Sequence, residues 1–197
     1  SYLLTLSDWL VGDDLPEEAV RCLELGVQRL GPQVDVLERW GDLLCEQERY
    51  AEAVAPYRRV AELSPERTPR IRDRLAAITD VQPALAGGWQ VLADLAYHDQ
   101  DYPAAVDHYQ KLDELGALEP LMRLQWGRAL FEKGEPGRAV DAARELLDMP
   151  IHYAAILQLC EDVLRRHPAA WSAQILRVDV FVAQERPDDA LEVIQTM

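Results

Sequence analysis

The stretch Arg39–Pro65, "RWGDLLCEQERYAEAVAPYRRVAELSP", is about half charged or polar, yet Trp40, Leu44, Tyr50, Ala53, Tyr57 and Val60 recur on a helical beat. A lone amphipathic hairpin and one unit of an array would both read this way. Only the rest of the chain separates them. With "YAEAV" (50–54) as the query, the chain answers with "LPEEAV" (15–20), "YPAAV" (102–106), "PGRAV" (136–140) and "PDDAL" (187–191). The alanines Ala19, Ala53, Ala105, Ala139 and Ala190 are spaced by 34, 52, 34 and 51 residues. Two intervals are equal, and the other two exceed them by the length of one further helix.

Neighbouring positions repeat with the alanines. Trp40-Gly41 and Leu44 in the second unit return as Trp126-Gly127 and Leu130 in the fourth. The third offers Trp89, Leu92-Ala93, Tyr102, Ala105 and Tyr109, and the first Leu6-Ser7, Leu10, Pro16, Ala19 and Leu23. In the fifth, Arg177-Val178 stands where the large-plus-small step belongs, while Phe181, Pro187 and Ala190 keep the pattern. Pro16, Pro136 and Pro187 suit helix starts, because a first-turn N–H has no partner to lose. Pro65, Pro150 and Pro168 fall where helices should stop. The pattern resembles the tetratricopeptide repeat, a helix–turn–helix unit of 34 residues.

The expected fold is therefore all-α: one solenoid domain over 1–197, with repeats near 1–33, 34–67, 86–119, 120–153 and 171–197. Period-2 alternation is nearly absent. Two stretches, near 68–85 and 151–167, carry apolar residues one turn apart and read as extra helices. An alternative pairs 151–166 with 169–185 as a hairpin of its own. The chain also ends without a polar capping helix, so the expectation is that more chain follows or that the ends pack on something.

Composition narrows the function. A net charge of −15 disfavours nucleic acid and anionic membrane surfaces, which need clustered Lys and Arg. No apolar run approaches the ~18 residues of a membrane span. Three scattered cysteines without CxxC spacing suit free thiols in a reducing compartment, hence a cytoplasmic location, or periplasmic if a leader was removed. His98, His108, His152 and His167 form no HExxH, and no phosphate loop or GxSxG is present. "YHDQD" (97–101) reads as a polar turn between helices rather than a metal site. No catalytic residue, cofactor or metal is expected.

The resemblance implies a right-handed superhelix whose first helices line a concave groove. Counting from the motifs places Asp35, Glu38, Arg39, Asp42 and Glu46 there from the second unit. Gln90, Asp94 and Tyr97, with Val91 and His98, follow from the third. Gln125 and Arg128, with Leu121, Leu124 and Phe131, come from the fourth, and Ile175, Leu176, Asp179 and Val182 from the fifth. Such a groove begins acidic and grows apolar, suiting a basic or amphipathic protein segment. Repeats that clamp a carboxylate terminus carry Lys and Asn where Glu38 and Asp42 stand, and two carboxylates would repel that ligand.

The basic stretch "RTPRIRDR" (67–74) breaks the acidic trend. It reads either as a dock for an acidic partner or another copy of the chain, or as internal pairing with the acidic helix around Glu62 and Glu66. The internal reading is preferred. The expected function is a non-enzymatic scaffold or assembly chaperone, by analogy in a bacterial secretion, pilus or envelope system. The alternatives are a peptide-sensing domain of a larger protein and a self-assembling scaffold.

Overall fold

A computed structural model describes residues 2–196, and among them every regular element is a helix. The helices are α1 (Tyr2–Gly12), α2 (Pro16–Leu30), α3 (Val34–Glu46), α4 (Tyr50–Leu63), α5 (Thr68–Val81) and α6 (Ala86–His98). They continue with α7 (Tyr102–Glu114), α8 (Pro120–Lys133), α9 (Pro136–Arg144), α10 (Tyr153–Arg166), α11 (Trp171–Ala183) and α12 (Pro187–Thr196). Single 3₁₀ turns at Pro65–Arg67 and Pro150–His152 lead into α5 and α10, the two extra helices. Two compact units divide the chain, Ser1–Leu95 and Ala96–Met197.

The repeat is written in the backbone as well as in the side chains. Asp14, Glu48, Gln100, Gly134 and Glu185 all take positive φ, between 57° and 92°, two residues before the second helix of each hairpin. At each turn the next N–H reaches back five residues: Leu15 to Leu10, Arg49 to Leu44, Asp101 to Ala96, Glu135 to Leu130 and Arg186 to Phe181. This is a left-handed helix stop that satisfies an otherwise orphaned carbonyl. Four of the five positions are not glycine, so the hairpin packing holds a conformation that L-residues adopt only locally. Asp101 also caps α7, accepting from the Ala104 N–H at 3.3 Å, which gives "YHDQD" its role as a turn.

Small residues then bring helices together. A Cβ on Gly41 would lie 2.5 Å from the Tyr57 ring, and one on Gly127 would meet the Ala139 carbonyl and Leu159 at 3.2 Å. The first unit packs Leu23, Leu44, Tyr57, Ile71 and Leu75 into its core. In the second unit Tyr109, Leu130, Ile156, Leu159 and Val163 are likewise buried. Within α4, Pro56 is buried although it removes one helical hydrogen bond, and the helix runs through it.

Gly87 and Gly88 lie in the first turn of α6. A Cβ there would meet Val54 of α4 at 3.7 Å and Thr79 of α5 at 2.7 Å. Within the first unit, the start of α6 thus lies against α4 and the end of α5. In the second unit α10 packs on both α8 and α9, and α11 on α9 and α10.

Candidate functional site

The charged site of the first unit follows from this stacking. Ile71, Leu75 and Ile78 are buried along one side of α5 and fix its rotation. Arg67, just before the helix, and Arg70 and Arg74 within it are then carried on a neighbouring stripe, at spacings of three and four residues. Asp35, Glu38 and Asp42 have the same spacings on α3, and the two ladders meet.

Glu38 is the centre. It is only 5% exposed, a burial that a carboxylate tolerates when its oxygens are matched by charged donors. Arg67 donates to Oε2 at 2.5 Å, while Arg70 and Arg74 reach Oε1 at 3.0 and 2.9 Å. Arg67 also pairs with Asp35 at 2.6 Å, and Arg74 spans both Asp42 oxygens at 2.7 and 2.8 Å.

The repeat contact at Gly41 completes the site, because it lets the Tyr57 ring lie flat enough for its hydroxyl to donate to Asp42 at 2.7 Å. The Arg74 guanidinium lies 5.6 Å from that ring's centroid. Burial, then the bond to Asp42, holds the Tyr57 hydroxyl protonated well above the ordinary phenol range. Cys45, 3.6 Å from the same hydroxyl, is also raised, chiefly by burial.

Arg39 faces the other way along α3, bonding Asp8 of α1 at 3.0 Å and Glu46 at 3.3 Å. Between α1, α3 and α5 an open cleft of about 590 Å³ is lined by Leu4, by Asp8, Asp35, Glu38, Asp42 and Glu66, and by Arg39, Arg67 and Arg70. Five carboxylates face three guanidiniums. Asp8, Asp35 and Arg70 keep roughly two-thirds of their side-chain surface in solvent (62%, 63% and 63%), so their remaining hydrogen-bonding capacity points outward.

The residues expected from sequence are thus sorted differently by the structure. Asp35, Glu38, Arg39 and Asp42 come together in the cleft, with Glu46 at its Arg39 end. Gln90 and Asp94 lie on α6, which packs on α4 and α5; the helix beside α3's charged face is α5. The internal reading of the arginines names the wrong acids, since Glu62 pairs with Arg59 and Glu66 bonds Ser64. Sequence reasoning missed Asp8, Arg67 and Arg70 as cleft residues. The signal was present: two ladders of opposite charge with equal spacing, 32 residues apart.

In the second unit Tyr97 stacks edge-on against Tyr102, with ring centroids 6.1 Å apart, and Gln125 accepts from the Tyr109 hydroxyl at 3.4 Å. Arg128 is exposed on α8. Its nearest counterpart to the α3–α5 contact is Arg166 of α10, which forks onto Glu132 of α8 at 2.9 and 3.1 Å and stacks 4.4 Å from the centre of the Phe131 ring.

Comparison with known proteins agrees with the hairpins. Residues 124–197 match the family model described as tetratricopeptide repeat. Over that stretch, helices α8 to α12, the chain is similar to the tetratricopeptide repeat. Among solved structures, the C-terminal part of a TPR repeat-containing protein from Cytophaga hutchinsonii is similar over 96% of this chain and 84% of that one, with 12% identity and a TM-score of 0.53. The structure named MamA MSR-1 C2 is similar over 94% and 97%, with 18% identity and a TM-score of 0.50. At such identities the likeness concerns the fold alone. No curated protein matches the sequence. Among the described residues, no helix is long and apolar enough to cross a membrane.

Proposed function

We propose that the protein is an interaction scaffold that seats a partner segment in the α1–α3–α5 cleft of its first unit. The observation that carries this reading is the composition of the cleft. Its exposed charges are no part of the repeat signature, whereas Gly41, Tyr57 and the buried alanines are. Tetratricopeptide repeats present such a face to other proteins, and the coarse reading as a binding scaffold rests on that.

The finer reading concerns the partner. Carboxylates outnumber guanidiniums in the cleft, and the chain carries a net charge of −15, so a basic or amphipathic segment is attracted at long range. Its cationic side chains pair with Asp8 and Asp35, which each hold one arginine and keep most of their surface in solvent. Arg70 uses one donor internally and offers the rest to the backbone carbonyls of the segment. Such a scaffold would suit a bacterial secretion, pilus or envelope assembly system.

The test is affinity capture from native lysate with the wild type beside an Asp8→Lys, Asp35→Lys double variant. The partners held by the wild type are expected to elute with salt and to be absent from the variant. Recovery of the same proteins by both would overturn the cleft as the binding site.

A further inference from the structure

A second surface lies outside the cleft, on the flank of α1 and α2. Leu3, Cys22, Leu25, Gly26 and Leu30 line a largely apolar hollow of about 540 Å³. Gly26 forms its floor, where a Cβ would meet Leu3 at 2.5 Å. Leu25 and Leu30 are 50% and 67% exposed, unusual for leucines that share one depression. The rim carries the exposed guanidiniums of Arg21 and Arg29, with Glu18 the single acid in the lining.

One helix of the same chain has the complementary face. On α12, Ala190 and Val193 are buried against the rest of the second unit, so helical geometry turns Leu191 and Ile194 outward. These two are 54% and 51% exposed. Asp188 and Glu192, one turn apart and both exposed, run beside them. An apolar pair edged by carboxylates thus faces an apolar hollow edged by arginines.

We propose that α12 of one copy seats on the α1–α2 hollow of a second copy, with Leu191 and Ile194 entering between Leu25 and Leu30 and with Asp188 and Glu192 facing Arg21 and Arg29. The contact joins different surfaces of the two molecules, so it is heterologous: assembly grows with concentration unless the geometry closes a ring. Burial of the four apolar side chains drives the association, while the charge pairs set its direction and make it weaken with salt. This contact is independent of the α1–α3–α5 cleft.

Sedimentation velocity across a concentration series tests it, with wild type, an Arg21→Glu, Arg29→Glu variant, an Asp188→Arg, Glu192→Arg variant, and an equimolar mixture of the two variants. Wild type is expected to rise in mass above one chain, and each variant alone to lose at least tenfold in apparent affinity. The mixture should regain association, because the reversed α2 of one meets the reversed α12 of the other. Wild type remaining at one chain throughout would overturn the proposal. So would assembly that both reversals leave unchanged, since another surface would then carry it. The circular dichroism of each variant must match that of wild type; if a reversal unfolds the chain, Leu25→Ser and Leu191→Ser replace it, with the same losses expected. Retained capture of the cleft's partners by the α12 variant separates failure here from failure of the scaffold reading.

Discussion

The two units each receive one extra helix after a repeat hairpin, and they fasten it by different chemistry. In the first, α5 is locked to α3 by three arginines converging on a buried glutamate. In the second, α10 rests on α8 through Leu159 against Gly127, helped by one Arg166–Glu132 fork at the surface. The topological task is the same, so the repeat does not dictate the fastening. A buried charge cluster is specific about register, because each carboxylate must find its donors, whereas apolar packing tolerates sliding at lower cost. The first unit's open face is consequently a charged one whose geometry is held rigidly from beneath.

The largest separation between the units should come from removing the two glutamates. Glu38→Ala removes the acceptor that Arg67 and Arg74 share and leaves each with one carboxylate, Asp35 or Asp42, so a loss of about 2 kcal/mol is expected in urea unfolding. Glu132→Ala, acting on a pair in which Arg166 keeps about half its surface exposed, should cost far less. Equal losses would mean that the Glu38 cluster is no stronger than a surface pair.

A smaller contrast is expected at the repeat glycines. Gly41→Ala drives a methyl into the ring of Tyr57, which also holds Asp42, and should cost roughly 2 kcal/mol. Gly127→Ala meets its neighbours at 3.2 Å and should cost about 1 kcal/mol. If the order is reversed, the first unit relaxes more readily than its charged ladder allows.

The thiols offer a comparison that leaves stability untouched. Burial raises Cys160 of the second unit to about 12, while Cys45 is raised but only half buried. Because the thiolate is the reactive form and lies above neutral pH in both, alkylation at pH 8 should be slow at Cys45 and reach Cys160 only on unfolding. Mass spectrometry of partly alkylated protein reads the order directly. Modification of Cys160 first would show that the α8–α10 packing opens more easily than the α3–α5 clamp.

Much of the fold is local and was therefore readable. Helix starts at Pro16, Pro136 and Pro187, the Trp-Gly steps, and the alanines spaced by 34 residues depend on contacts within one hairpin, and the left-handed turns fall at the same phase. Asp35, Glu38, Arg39 and Asp42 were likewise recognisable as residues that the repeat does not explain. Their partners were not recognisable from proximity in sequence. Glu62 and Glu66 stand closer to the arginines along the chain, but Glu62 is turned toward Arg59 and Glu66 toward Ser64.

The hairpin, its repetition and the list of residues left free by it follow from local pattern in the chain. The tertiary structure alone decided which free residues share a surface. Counting motifs made α6 the next helix after α3 to line the groove, because the repeat signature resumes at Trp89. Packing instead placed α5 there, since Ile71, Leu75 and Ile78 must be buried against the preceding hairpin before α6 can add to the stack. That one placement brings Arg67, Arg70 and Arg74 onto α3's carboxylates, and turns an acidic stripe into a cleft carrying both signs of charge.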